Sequence, residues 1–232
     1  MSLSWREASI WAQSAIHDPI FAFQVSCHCS LVFWVNVALL GGAVGANTPR
    51  AMQILLGWVL AAFVSILVHE LGHALVMRRF GDRRVEILLY AFGGVARGSR
   101  WLGRWEDLAV SSAGPLVQLA AGITVGSLVD PGAFEPLFLK SFFVSFYEVS
   151  LFWALLNLLP VLPLDGGHIC RAFLGAGRAR LALQISLACA AALALYFLQV
   201  GGLFPTVFFG LMAWNNWKEL KGEPQVPWML GR

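Results

Sequence analysis

Charged side chains are scarce in this chain, and their scarcity excludes most soluble folds. Lysine, arginine, aspartate and glutamate make up 12% of the 232 residues, whereas hydrophobic residues make up 58%. A soluble globular domain usually carries about 25% charged and about 45–50% apolar residues. The formal net charge of +3 is also too small to indicate a nucleic-acid partner. The composition therefore predicts a multi-pass protein of the lipid bilayer that does not bind nucleic acid.

Cysteine is sparse as well, and its four copies lack the spacing of a disulfide framework. Cys27-His28-Cys29 resembles part of a metal site, but it lacks the paired spacing of a zinc knuckle. We expect ordinary membrane residues there, and the sequence assigns them no role. Repeats, low-complexity runs and the apolar core of a signal peptide are also lacking. We therefore expect a single integral-membrane domain over residues 1–232.

Six apolar segments are each near the ~20 residues that a helix needs to cross a bilayer. A seventh segment, from about residue 80 to 104, is charged and contains a strand-like run that ends at Gly93-Gly94. The predicted fold is an all-α polytopic membrane protein of about six transmembrane helices, with a small membrane-associated β-hairpin or sheet between the second and third. The six predicted spans lie at about 20–46, 49–77, 105–129, 137–160, 180–200 and 202–220. The polar patch Ser26–Ser30 interrupts the first, and we expect the chain to enter the membrane irregularly there.

The basic residues predict the orientation of these spans. With the N-terminus in the cytoplasm, 14 of the 16 lysines and arginines fall on the cytoplasmic side, and only Arg50 and Lys140 lie outside. This is a strong positive-inside bias. We expect both termini in the cytoplasm and the protein in the cell (inner) membrane.

The second predicted span contains the sequence His69-Glu70-Leu71-Gly72-His73. Two histidines four residues apart lie on one face of a helix, about 6 Å apart along its axis, which suits two imidazoles that bind one zinc ion. Glu70 is placed to take a proton from a zinc-bound water. Ionisable residues in an apolar span are costly unless they have a function. The pattern predicts a zinc hydrolase whose site lies within the membrane, towards its cytoplasmic side.

A catalytic zinc site needs a third protein ligand and an open position for water. Asp165 is the strongest candidate, because it lies in a proline-flanked apolar segment where zinc would balance its charge. Glu148 is a weaker rival at membrane depth. Asp130 and Glu135 belong to a predicted outer loop, and Asp107 belongs to the start of a helix.

The motifs as a set resemble those of the site-2 protease family of intramembrane zinc metalloproteases. The resemblance rests on HELGH, Phe92-Gly93-Gly94, Ala113-Gly114-Pro115 and the run NLLPVLPLDGG over residues 157–167. It implies one zinc ion per chain, held by His69, His73 and Asp165, with Glu70 as the catalytic base. It also implies that Asn157 helps to hold the scissile carbonyl or its oxyanion.

The resemblance further implies a catalytic core at about residues 49–176, with accessory helices at about 20–46 and 180–220 that form a gate. Gln118 departs from the family pattern, because many members have asparagine at that place. We expect this difference to affect packing rather than chemistry.

The predicted function is hydrolysis of a peptide bond within or near a transmembrane segment of a membrane protein, as in regulated intramembrane proteolysis. The substrate must unwind locally, and the predicted strand could pair with it by β-augmentation. The candidate substrate-binding residues are Phe92, Gly93, Gly94 and Val95. Family substrates include membrane-tethered transcription factors, anti-sigma factors and remnant signal peptides, and the sequence selects none of them.

The alternative is a non-proteolytic membrane protein that uses the same zinc site for metal transport or sensing. A transporter is expected to carry acidic residues on several helices, and the fifth and sixth spans are nearly free of them. A protein that had lost the chemistry would lack Glu70 or Asp165, and both are present.

Overall fold

A computed structural model describes residues 24–82, 84–90 and 93–223 of the chain. Its longest helix, α2, begins where the sequence offers both a cap and a proline. The Thr48 hydroxyl accepts a hydrogen bond from the backbone N–H of Ala51 at 3.1 Å, and Pro49 occupies the first turn. The helix continues for 31 residues, from Pro49 to Arg79. It is the helix that carries both histidines of the HELGH sequence.

Seven α-helices and three strands follow one another in the described residues, together with three short 3-10 turns. In chain order the elements are β1 (Gln24–Cys29), α1 (Leu31–Leu40), α2 (Pro49–Arg79), β2 (Arg84–Tyr90), β3 (Gly93–Gly98), α3 (Arg104–Leu128), α4 (Leu137–Asn157), α5 (Asp165–Leu174), α6 (Ala179–Gln199) and α7 (Leu203–Lys221). Within the bundle, α2 packs against α3 and α4, α5 packs against α3, and α6 packs mainly against α7.

Four of the described helices are long and apolar enough to cross a membrane, so the six predicted spans are not confirmed. The four are α2, α3, α4 and α6 with the turn before it, Ala176–Gln199. The predicted sixth span is a helix, α7, but Asn215, Asn216 and the charged residues of its last turns reduce its apolar character. The protein is nevertheless a helical integral membrane protein.

The first predicted span, residues 20–46, is wrong as a single membrane helix. Its described part forms the strand β1 and then a helix, α1, of only ten residues. Ten helical residues extend about 15 Å, half of the hydrocarbon core. Ser30 separates the two elements, because its hydroxyl accepts from the backbone N–H of Phe33 and caps the helix. The polar patch around this serine therefore belongs to a strand and a cap.

The predicted hairpin between the second and third helices is present as β2 and β3, which pair antiparallel. The third strand was not predicted: β1 pairs with β2 in parallel, so the sheet order is β1-β2-β3. Val85, Ile87 and Leu89 alternate along β2 and are fully buried against apolar residues of α2. This period-2 pattern orients the sheet, because one face of β2 is buried in the bundle and the other is not.

Asp82 connects the two ends of the β2–β3 hairpin by hydrogen bonds. Its carboxylate accepts hydrogen bonds from the backbone N–H of Arg84, from the Ser99 hydroxyl and from the backbone N–H of Arg100, at 3.3, 2.9 and 3.2 Å. Burial by itself would raise the pKa of Asp82, but these hydrogen bonds outweigh it and hold that pKa below its ordinary value. Gly98 lies so close to the carboxylate that a Cβ there would collide with it. The ionised form of Asp82 therefore stabilises the folded sheet.

We expect Asp82→Asn to destabilise the protein by about 1–3 kcal/mol at neutral pH, because the amide keeps only one acceptor oxygen. A carboxylate whose folded pKa is depressed contributes stability above its unfolded pKa of about 3.9, and this stability is lost as the pH falls through the folded value. The difference in thermal unfolding midpoint between wild type and variant should therefore shrink below about pH 4. The exposed Asp130, changed to Asn, is the control. A difference that does not depend on pH would contradict the assignment.

Candidate metal centre

His69 and His73 lie one turn apart on α2, and both are buried. Their Nε2 atoms are 3.0 Å apart. Asp165, the first residue of α5, brings its Oδ2 atom to 2.9 Å from Nε2 of His69 and 3.3 Å from Nε2 of His73. The structure thus brings together the two histidines of the HELGH sequence and the distant aspartate, in a cluster that could hold a metal ion.

The hydrogen bonds on the far side of each ring define which nitrogen carries the proton. Nδ1 of His73 is 2.7 Å from the carbonyl oxygen of Val110, which can only accept, so Nδ1 is the donor. Nδ1 of His69 is 2.9 Å from Oε1 of Gln118, and the Gln118 amide nitrogen donates to Ser65. In the neutral form of each ring, Nε2 therefore presents a lone pair to the cluster.

Two imidazole lone pairs and a carboxylate oxygen that face one another repel unless a cation lies between them. Two nitrogen ligands and one oxygen ligand form the donor set of catalytic zinc sites, which leave a fourth position for water. The residues present therefore fit one zinc ion. Hydrogen bonds of this kind from the second ring nitrogen orient a histidine and raise its basicity as a ligand.

Glu70 follows His69 directly, is buried on α2, and lies against strand β3. A Cβ at Gly94 would lie 2.6 Å from Cγ and 2.7 Å from Oε1 of Glu70. Only glycine leaves this much room, so the backbone of β3 passes directly beside the carboxyl group. The sheet and the cluster of ligands therefore meet at Glu70.

A second glycine makes room for the ring of His73. A Cβ at Gly114 would lie 2.8 Å from Cδ2 of His73 and closer still to two other ring atoms. On the facing helix α2, a Cβ at Gly72, the residue before His73, would lie 2.8 Å from the carbonyl oxygen of Ala113. The backbones of α2 and α3 are therefore in near contact, as small residues allow in membrane bundles. The Ala113-Gly114-Pro115 motif therefore lies where α3 approaches α2 most closely, and the Val110 carbonyl of the same helix bonds His73.

The glycines after Asp165 have a similar role in the segment between α4 and α5. A Cβ at Gly167 would lie 2.5 Å from the backbone nitrogen of Leu162, and one at Gly166 would collide with the carbonyls of Leu158 and Leu159. The first turn of α5 therefore packs backbone to backbone on the loop that precedes it. This packing determines where Asp165 begins the helix.

The remaining predicted residues are placed less directly. Asn157 is the last residue of α4, and its amide nitrogen donates to the carbonyl of Trp153, one turn earlier, at 3.0 Å. Glu148, the rival third ligand, is exposed and does not join the cluster. Gly93 borders open space and Val95 is buried. Phe92 lies outside the described residues, as do the side chains of Cys27 and His28, whereas Cys29 is exposed.

Gln118 requires a correction, because we expected its departure from asparagine to affect only packing. The side chain is fully buried and accepts the hydrogen bond from His69. Its amide nitrogen donates to the Ser65 hydroxyl at 2.9 Å, and that hydroxyl is 2.9 Å from the hydroxyl of Ser150. A polar chain thus joins α2, α3 and α4 behind His69. Ser65 was not predicted either, although it lies four residues before His69 and hence on the same helix face.

Fold and site together define a helical membrane protein with a buried cluster of two histidines and one aspartate that could hold a metal ion. The model of peptidase family M50 matches residues 57–135 and 127–199, more than half of the chain. The chain belongs to this family.

Individual relatives agree with the family match. Rip3 of Mycobacterium tuberculosis is 33% identical over 216 residues, which cover 84% of this chain and 54% of Rip3. Zinc metalloprotease MJ0392 of Methanocaldococcus jannaschii is 36% identical over 115 residues, which cover 48% of this chain and 32% of that protein. The chain spans about half the length, or less, of these curated relatives.

The solved structure of a site-2 protease from Methanocaldococcus jannaschii has a similar fold. It superposes with a TM-score of 0.58 at 24% sequence identity, and the match covers 84% of this chain and 91% of that one. The likeness supports the arrangement of the helices.

Replacement of Gln118 by Leu should weaken zinc binding by about 10–100-fold, because the Nδ1–H of His69 loses its buried acceptor and the ring its orientation. Zinc affinity is measured in detergent by competition with a chelator of known affinity. The matched control is Gln53→Leu, at an exposed position on α2, the helix that carries the histidines. Equal affinities for all three proteins would show that Gln118 does not orient His69.

Proposed function

We propose that the protein is an intramembrane zinc metalloprotease that hydrolyses a peptide bond within or near a transmembrane segment of a membrane protein. The observation that carries this proposal is the convergence of His69, His73 and Asp165, with Glu70 one residue from the first ligand and buried beside them. A buried ionisable cluster in a membrane helix is costly without a function. Membership of a peptidase family supports hydrolysis as that function.

The chemistry divides between the ion and the side chains. When bound, zinc supplies Lewis acidity, which acidifies water and polarises a peptide carbonyl. Glu70 is the general base that takes the proton of the attacking water and later delivers it to the leaving amine. The hydrogen bonds of Val110 and Gln118 hold both imidazoles with Nε2 towards the ion throughout. The burial of the cluster limits the entry of bulk water, which strengthens each of these interactions.

Asn157 has the role that the family resemblance implies, which is to hold the scissile carbonyl or its oxyanion. Its amide nitrogen donates to Trp153 within its own helix. If the Asn157 side chain changes rotamer, its amide N–H donates to the substrate carbonyl in place of the Trp153 carbonyl. Oxyanion donors in other hydrolases contribute roughly 3–4 kcal/mol to catalysis.

The edge of β3 is the proposed substrate site, with Phe92, Gly93, Gly94 and Val95 as its residues. Among the described strands β3 pairs only with β2, so its other edge can receive an extended peptide. The contact between Gly94 and Glu70 supports this proposal, because a peptide added at that edge runs close to the base. A transmembrane helix must unwind before it can pair in this way, since its own carbonyls are hydrogen-bonded internally.

The domain organisation and surroundings complete the proposal. The protein acts as one integral-membrane domain, with a core at about residues 49–176 and accessory helices at about 20–46 and 180–220. Its partners are the bilayer and transmembrane substrates, such as tethered transcription factors, anti-sigma factors or remnant signal peptides. It lies in the cell membrane with both termini and the active site towards the cytoplasm, as the positive-inside bias favours.

Replacement of Glu70 by Gln should abolish cleavage of a model single-span substrate while zinc remains bound, since the amide cannot take a proton. Cleavage is followed by gel mobility of the reconstituted substrate, and zinc content is measured on the same samples. Glu86→Gln, at an exposed position in β2, is the control and should cleave normally. Equal cleavage by wild type and Glu70→Gln would contradict the mechanism. Zinc binding without cleavage by either would favour transport or sensing.

Gly93 and Gly94 offer a matched pair of substitutions that test the position of β3. A methyl group at Gly94 meets Glu70, whereas one at Gly93 meets no atom within 4 Å. We expect Gly94→Ala to reduce cleavage about 10-fold or more at unchanged zinc content, because a misplacement of about 1 Å can cost this much. Gly93→Ala should reduce cleavage less than Gly94→Ala does, because its methyl group does not meet Glu70. Normal cleavage by Gly94→Ala would remove β3 from the site.

A further inference from the structure

The loop between α4 and α5 is held by side chains from two helices outside the core. Leu162, three residues before Asp165, has its backbone N–H bonded to the hydroxyl of Ser186 on α6 at 2.7 Å. Its carbonyl accepts from the amide nitrogen of Asn216 on α7 at 2.9 Å. Both polar groups of one loop residue are therefore satisfied by the helical hairpin α6–α7.

These two contacts are buried. Ser186 and Asn216 are each 1% exposed, and the residues around them form an apolar cluster of Val161, Leu164, Ala190, Phe209 and Met212. A hydrogen bond in such surroundings has no water to replace it, so its loss leaves a buried group without a partner. The contacts therefore hold the loop strongly to the hairpin.

Asn216 is an unusual residue for this position if packing were its only role. Its amide nitrogen donates to both Leu162 and Met212, but its Oδ1 atom has no hydrogen-bond partner among the described residues. An apolar side chain of the same size would avoid that penalty. The hydrogen bond that Asn216 donates to the Leu162 carbonyl explains why an asparagine is found at this position.

Movement of Leu162 must pass to the aspartate. Gly167, in the first turn of α5, lies directly on the Leu162 backbone, at the distance where a single added Cβ would be 2.5 Å from its nitrogen. Asp165 begins the same turn. Because backbone rests on backbone here, a shift of the loop cannot be absorbed by side-chain rotation. The α6–α7 hairpin, the loop at Leu162 and Asp165 therefore move together.

We propose that Ser186 and Asn216 are positioning residues for Asp165, so that the seating of the α6–α7 hairpin determines whether the third ligand reaches the two imidazoles. This inference rests on the proposed function, since it assumes that the cluster binds zinc. A hairpin that leaves Leu162 withdraws Oδ2 of Asp165 from the histidines. By linkage, zinc binding must in turn hold the hairpin against the core. Access to the site and assembly of the site are then coupled.

The first test is zinc affinity, measured by chelator competition on the full chain in detergent. Ser186→Ala, Asn216→Leu and the double variant should each bind zinc about 10-fold or more weakly, as changes behind a ligand typically do. Ser141→Ala is the matched control, because the Ser141 hydroxyl likewise makes one hydrogen bond to the backbone of another element, by donating to the carbonyl of Ile54 near the other end of α4. It should bind zinc as wild type does. Unchanged affinity in the folded double variant overturns the proposal.

The second test needs no variant that could fail to fold. Hydrogen exchange of peptides from α6 and α7 is compared in the wild-type protein with zinc and after chelation. Zinc should slow exchange in both helices. Exchange in α6 and α7 that does not respond to zinc overturns the coupling. If wild type binds no zinc at all, the proposed function fails as well, whereas normal binding with unaffected variants overturns only the positioning role.

Discussion

The structure depends on three electron-pair donors that are held face to face in an apolar interior. Nε2 of His69, Nε2 of His73 and Oδ2 of Asp165 lie within 3.3 Å of one another, an arrangement that is repulsive unless a cation joins them. Much of the surrounding architecture counteracts that repulsion. The carbonyl of Val110 and the amide of Gln118 anchor the rings from behind, and the backbone packing of the α4–α5 loop holds the aspartate in front. Family membership gives this arrangement a context without supplying its geometry.

Glycine is the means by which three separate elements approach the cluster. Gly114 admits the ring of His73 against α3, Gly94 admits the carboxyl of Glu70 against β3, and Gly167 admits the loop backbone against α5. At each place the missing side chain is replaced by a polar group of the site or its support. Glycine therefore makes room for a ligand at one place, for the catalytic base at another and for the loop backbone at a third.

Much of this could be predicted because helical spacing and cost in a membrane are local properties. A separation of four residues places the two histidines on one helix face, and an aspartate in an apolar, proline-broken segment needs a partner. The hairpin followed from its charge and its strand-like run. The first helix was predicted wrongly because residues 20–46 are continuously apolar apart from one polar patch, and apolar character alone does not distinguish a strand beside a bundle from a span. Gln118, Ser186 and Asn216 were out of reach, because their partners lie 49, 24 and 54 residues away.

The parallel pairing of β1 with β2 has a consequence for how the chain is threaded into its membrane. Parallel neighbours run in the same direction, so the polypeptide between them must travel out and return. The return is α2, whose 31 residues extend roughly 46 Å, while the outward path has only the ten residues of α1 and a short irregular arm. Gly41, at the end of α1, rests against Trp58, partway down α2. Each residue of β1 is synthesised 60 residues before its partner in β2, so the two strands can pair only after the long helix between them has been made. Formation of the β1–β2 pair therefore follows synthesis of the helix that carries the histidines.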